Sequence, residues 1–189
     1  MRLEERLGIP SAETLALARG GAAAFEREHP YLRDVHAGSL EGYLFPKTYS
    51  FARGSSAEVV LKTMLEQFDK EIGALDLERA QAEGFSLHEV VTMASIIERE
   101  AALDRERPLI ASVIRNRLER GMPLEIDATV EYVLPGNRFR LRYRDLKIDS
   151  PYNTYRVRGL PPGPIASPGL ASLTAAIEPA KTDFLYYVL

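Results

Sequence analysis

Apolar residues recur at helical spacing in several stretches of the chain. The strongest begins at Ser86-Leu-His-Glu89, a capping box in which hydroxyl and carboxyl satisfy each other's backbone donors. A helix is predicted from there to about Leu103, with Val90, Met93, Ala94, Ile97 and Ala101 on one face at roughly 100° per residue. A second helix is predicted from Pro108, a first-turn residue, to Arg120, with Gly121 as its stop. It should bury Leu109, Ile110, Val113, Ile114 and Leu118. Ser56 to Ile72 reads as amphipathic, with Val59, Val60, Met64 and Phe68 in phase. Shorter helices are expected over Pro10–Arg19, closed by Gly20-Gly21, over Asp127–Val133 with Asp127 as N-cap, and from Pro168 to about Ile177. Gly73 to Gly84 reads as a connection or a loose helix end.

Period-two alternation is scarcer. Phe139 to Tyr143 alternates with Arg138, Arg140, Arg142 and Arg144, which predicts a half-buried strand carrying four cations on one face. Phe184 to Leu189 reads as a second strand. Residues 150–169 hold five prolines and three glycines, yet Tyr152, Tyr155, Leu160 and Ile165 give this stretch apolar anchors, so it is expected to be an ordered loop. The fold class expected is α+β, mainly helical with a small sheet.

Composition narrows the chemistry. The 189 residues carry a net charge of −3, so nothing global favours nucleic acid. There is no cysteine, which removes thiol catalysis and cysteine-based metal sites. His29, His36 and His88 follow no metal-ligand spacing, and neither metal nor cofactor is expected. A nucleophile-elbow serine and a phosphate-binding glycine loop are both absent. No apolar run reaches the roughly 18 residues that span a bilayer. The chain starts within a helical pattern and stops within a strand pattern, as a piece of a longer parent would.

Helix phase puts two carboxylates, Glu98 and Glu100, on opposite flanks of the apolar face of the 86–103 helix, with Arg99 outward. A carboxyl beside branched aliphatics is partly desolvated, which raises its pKa toward what a general acid needs. Flanking glutamates are more often solvated or paired, here with Arg105 or Arg107, and phase does not choose between the two. The loop from Asp149-Ser-Pro-Tyr-Asn-Thr-Tyr155 to Gly169 offers phenol, amide and hydroxyl groups suited to a sugar, or it is a rigid loop whose tyrosines pack. The arginine strand could hold phosphate or peptide-stem carboxylates, though the solvated side of an edge strand is the commoner case. Tyr43, Phe45, Tyr49 and Phe51 could stack on sugar rings, with core packing the usual role. Asn116 and Asp127 are polar among apolar neighbours.

Several runs together resemble the MltG-type (YceG-like) endolytic murein transglycosylases. They are Leu40-Glu-Gly-Tyr-Leu-Phe-Pro-Lys-Thr-Tyr49, Ala94-Ser-Ile-Ile-Glu-Arg-Glu100, Ala111-Ser-Val-Ile-Arg-Asn-Arg-Leu118 and Gly121-Met-Pro-Leu-Glu-Ile-Asp127, followed by Ser150-Pro-Tyr-Asn-Thr-Tyr155, Gly159-Leu-Pro-Pro-Gly-Pro-Ile165 and Ala175-Ala-Ile-Glu-Pro-Ala-Lys181. The resemblance implies a lysozyme-like catalytic domain over 38–189, lacking the family's C-terminal histidine-containing segment, and a remnant of a LysM-like subdomain over 1–37. It implies an extracytoplasmic enzyme of the bacterial envelope, its parent anchored in the plasma membrane and this chain soluble. Its substrate would be peptidoglycan glycan strands, its neighbours the peptidoglycan synthases, and no nucleic acid is implied.

In the family's E-K-E-T pattern the second glutamate precedes a hydroxyl residue, so the resemblance makes Glu100 the general acid/base and Glu98 its support or alternative. Ala101 replaces that hydroxyl residue, and Lys47 stands where an aspartate is common. Tyr152, Asn153, Thr154, Tyr155, Asn116, Asp127 and Glu41 form the implied substrate-binding set. Cleavage between MurNAc and GlcNAc would leave a 1,6-anhydro end. The rival readings are a non-catalytic peptidoglycan-binding or scaffold module and a hydrolytic muramidase, with a nucleic-acid role for the arginine strand more distant.

Overall fold

The structure is a computed structural model that describes residues 5, 8, 9, 11–135 and 141–187. The chain forms two compact units, Met1–Leu75 and Asp76–Leu189. In the first, helices α1 (Ser11–Gly20) and α2 (Ala57–Ile72) pack together, joined by turns of 3-10 helix and extended chain. Ser56 caps α2 by accepting from the Val59 backbone N–H. The buried side of α2 is Val60, Leu61, Leu65, Phe68 and Ile72, while Val59, expected in phase with them, is 52% exposed. Tyr43 is buried, its ring 5.5 Å from Tyr31 and 5.3 Å from Phe68. Phe45 is also buried, and Tyr49 stacks on Phe51. Tyr43 and Phe45 of that aromatic run are thus core residues.

The second unit is built around α4 (Leu87–Glu100), which packs against α3 (Leu77–Ala82), α5 (Arg107–Glu119), α6 (Asp127–Val133) and α7 (Leu170–Ile177). The capping box at Ser86 and Glu89 is formed as predicted. Every residue from Val90 to Ile97 is buried, because partners surround this helix instead of lining one stripe. The helix stops at Glu100, short of the expected Leu103. Beyond it the Glu106 carboxylate accepts from the Ala102 and Leu103 N–H groups and turns the chain. On α5, Leu109 is 41% exposed against expectation, whereas Arg115 and Arg117 are buried. Arg115 reaches its place by pairing with Glu83 and lying 3.9 Å over the Phe85 ring.

The expected small sheet is not found among the described residues, where the only strand-like pairing is an isolated bridge between Pro123 and Arg158. Part of the predicted arginine strand, including Arg138, Phe139 and Arg140, lies outside the described residues. Its continuation is not a strand: Tyr143, expected inward, is 86% exposed, and the Asp145 carboxylate turns the chain by accepting from the Arg142 N–H. Arg142 and Arg144 are exposed in that turn. The other predicted strand is not formed from Phe184 to Tyr187 among the described residues; Val188 and Leu189 lie outside them. Its carbonyls are taken by side chains of α5. Asn116 Nδ2 donates to the Thr182 and Phe184 carbonyls, and Arg117 Nε to that of Leu185. No helix among the described residues is long and apolar enough to cross a membrane.

Candidate active site

Glu98 and Glu100, both on the flank of α4, meet opposite surroundings. The Glu98 carboxylate accepts from Arg107 Nη1 at 3.2 Å, Ser172 Oγ at 2.7 Å and the Gly169 backbone N–H at 3.1 Å. It therefore ties the starts of α5 and α7 to α4, and three donors converge on one of its oxygens. The pairing with Arg107 weighed from the sequence is present.

Glu100, the last residue of α4, opens instead into a cleft with a cavity volume of ≈ 440 Å³. Small-molecule sites commonly measure about 300–1,000 Å³. The cleft is walled by Val113, Ile114 and Arg117 of α5, by the 124–127 segment, by Tyr155 and by Leu185, Tyr186 and Tyr187. Burial holds the Glu100 carboxyl above the ordinary carboxylate range. The Tyr187 phenol, donating at 3.0 Å, opposes that rise; the Asp127 charge adds to it, the Ala128 backbone N–H opposes it and the Glu131 charge adds to it. Ala128 offers one of the donors left free in the first turn of α6.

Asp127 is the first residue of α6, not its N-cap: Ile126 holds that place and the Asp127 side chain makes no cap. The carboxylate instead accepts a 2.6 Å hydrogen bond from the Tyr155 hydroxyl. Burial, and then the bond to Asp127, push the Tyr155 phenol well above its ordinary pKa, so it stays a donor.

The other expected binding residues do not line the cleft: they hold segments behind its walls or stand away from it. Asn153 is buried and donates to the Leu146 and Ile148 carbonyls while accepting from the Tyr155 N–H, which folds the proline-rich loop. Thr154 is buried, accepts from the Ile126 N–H at 3.0 Å and lies 2.9 Å from the Thr129 hydroxyl. Its carbonyl accepts from the Glu125 N–H. Tyr152 packs on Tyr132, with ring centroids 5.0 Å apart. Asn116 is committed to the C-terminal segment. Glu41 belongs to the first unit, half-buried, and burial raises its pKa against the pull of Arg19.

Four cleft residues were not foreseen from the sequence. Glu125 lies in the left-handed region, at φ +53°, without the glycine that would have flagged the turn. Arg117 is buried, its Nε donating to the Leu185 carbonyl and its Nη1 to the Pro123 and Leu124 carbonyls and the Glu125 carboxylate. Tyr186 lies under its guanidinium, 4.8 Å from ring centre to Cζ. Tyr187 sat in an apparent strand, where a tyrosine is an ordinary residue.

A mainly helical unit with a single half-buried carboxyl in a tyrosine-lined cleft defines a class of fold and site. The family model described as YceG-like matches residues 2–189, and the chain belongs to that family. It is 47% identical over 150 residues to an endolytic murein transglycosylase of Bacillus subtilis (strain 168), and 39% identical over 154 residues to one of Streptococcus pneumoniae (strain ATCC BAA-255 / R6). Each match covers 79% of this chain, which spans 41% of the first relative's length and 28% of the second's. A crystal structure of a yceG-like protein from Listeria monocytogenes superposes with a TM-score of 0.88 at 36% identity, covering 99% of this chain and 64% of that one.

Proposed function

We propose that the chain is the catalytic part of an endolytic peptidoglycan lytic transglycosylase, with Glu100 as its single acid and base. The observation that carries this reading is the raised, half-buried carboxyl of Glu100 opening into the cleft, beside a Glu98 already committed to Arg107, Ser172 and Gly169. The names of the relatives supply the substrate class.

Protonated Glu100 donates its proton to the glycosidic oxygen between MurNAc and GlcNAc as the C1–O bond breaks and an oxocarbenium-like state develops. The resulting carboxylate takes the proton from the MurNAc C6 hydroxyl, whose oxygen bonds to C1 and closes the 1,6-anhydro ring. Water does not enter the products, and an intramolecular nucleophile makes a second base unnecessary. Asp127, held by Tyr155, and Tyr155 itself offer polar contacts for sugar hydroxyl or acetamido groups. Asn153, Thr154 and Asn116 act by shaping the walls, and Glu98 by orienting the end of α4. Residues 1–37 are read as the remnant of a LysM-like subdomain and Glu41 as a contact for the glycan outside the cleft. The parent is placed in the envelope, membrane-anchored and beside peptidoglycan synthases.

Mass spectrometry of digested glycan strands tests the reading. Glu100→Gln is expected to abolish anhydro-ended products while the fold survives. Full activity in Glu100→Gln, with loss in Glu98→Gln, would move the acid to Glu98. A second reading rests on the Asp127 charge that acts on Glu100, since a neighbouring carboxylate is what a hydrolase uses to activate water. Reducing ends carrying oxygen from labelled water would favour a muramidase, and no new ends at all a binding module.

A further inference from the structure

We propose that Tyr187 is a positioning residue for Glu100, held over the cleft by a side-chain clamp from α5. The inference rests on the reading of Glu100 as the acid. The Tyr187 hydroxyl donates to Glu100 Oε2 at 3.0 Å from a segment without regular secondary structure or a strand partner among the described residues. Such a segment needs other acceptors and donors for its backbone, or it does not hold one geometry. Two consecutive residues of α5 provide donors for its carbonyls. Asn116 donates to the Thr182 and Phe184 carbonyls, and Arg117 to that of Leu185, two residues before the phenol.

Arg117 cannot easily drift, because it is buried and also bonded to the Pro123 and Leu124 carbonyls and to Glu125. Exposure alternates along the segment from Phe184 to Tyr187. Tyr186 is 70% exposed with its ring under Arg117, while Tyr187, one residue on, turns half-buried toward Glu100. One arginine therefore fixes the segment that bears the phenol and the 123–125 turn that leads to Asp127.

A phenol has one proton to donate. Given to the Glu100 carboxylate it stabilises the charged form, opposing the effect of burial, and it fixes the rotamer of the last side chain of α4. Tyr187 thus leaves Glu100 a usable base in the second half-reaction as well as an acid in the first.

The test is Tyr187→Phe in the full chain, followed by carbon-13 NMR titration of the Glu100 side-chain carboxyl. It is expected to titrate at higher pH than in the unaltered protein; an unchanged titration overturns the proposal. This readout needs no turnover, so it stands apart from the Glu100→Gln test of the acid itself. With glycan strands, Tyr187→Phe is expected to lower kcat about tenfold, to keep KM within about twofold, and to move the basic limb of the pH profile upward. Asn116→Ala is expected to move the titration the same way and to add nothing in the Tyr187→Phe background. Full additivity of the two substitutions would overturn the clamp.

Discussion

Glu98 and Glu100 differ in what they accept, and that difference sets separate costs for losing each. Removing the Glu98 side chain leaves Arg107 and Ser172, both largely buried, and the Gly169 N–H short of an acceptor. Glu98 itself is only partly buried, so Glu98→Ala is expected to cost about 1–3 kcal/mol in urea unfolding. Turnover per folded molecule should fall far less than in Glu100→Gln. A stable but inactive Glu98→Ala protein would instead mark Glu98 as the acid. Sequence periodicity placed both carboxyls on the rim of the buried face and could go no further. What separates them is the arrival of α7 and the start of α5 at one of them, and of Tyr187 and α6 at the other. Those approaches come from segments that lie from 9 residues away, at Arg107, to 87 residues away, at Tyr187, and helix phase carries no signal for them.

At the scale of elements, the helices were legible wherever a cap coincided with an apolar period, as at Ser56 and Ser86. The strand patterns were less decisive, and part of the arginine one, at Arg138, Phe139 and Arg140, lies outside the described residues. Phe184 to Tyr187 is a continuous apolar run that suits a strand, but among the described residues side chains and not a neighbouring strand take the Phe184 and Leu185 carbonyls. Asp127 was misassigned because an aspartate before an apolar run resembles an N-cap, while the structure gives its carboxylate to Tyr155. The proline-rich loop was rightly expected to be ordered, and its order rests on Asn153 and Thr154. Thr154 links that loop to the segment before α6 through the Ile126 N–H and the Thr129 hydroxyl. Thr154→Val keeps the shape and removes the acceptor, leaving a buried N–H unpaired, so it is expected to cost about 1–3 kcal/mol in urea unfolding. Because Asp127 follows Ile126 directly, activity per folded molecule should drop as well. Loss of stability with full activity would show that the loop's register does not govern the cleft.

For the molecule as a whole, the cleft lies entirely within the Asp76–Leu189 unit, and its Glu100 carboxyl is coupled to the stability of that unit through proton binding. Glu100 is held above the ordinary carboxylate range chiefly by burial. The folded state therefore keeps this proton to a higher pH than the unfolded chain does. Between the unfolded and folded pKa values the folded state binds more protons, so raising pH lowers stability there. The contribution is complete below the ordinary carboxylate range and is lost as pH rises through the raised folded value. Glu100→Gln carries no titrating proton and escapes that loss. It is expected to be more resistant to urea than the unaltered protein at pH 8, with amide exchange in residues 76–187 reporting the difference. The gain should shrink as pH falls and vanish below about pH 4, where an unfolded glutamate is itself protonated. A gain of equal size at every pH would reflect altered packing alone, and a less stable variant at pH 8 would mean that the donors from Tyr187 and Ala128 outweigh burial. The expected outcome makes the variant proposed to lack activity the more stable one, since the environment that keeps a proton on Glu100 is the same one that resists its carboxylate.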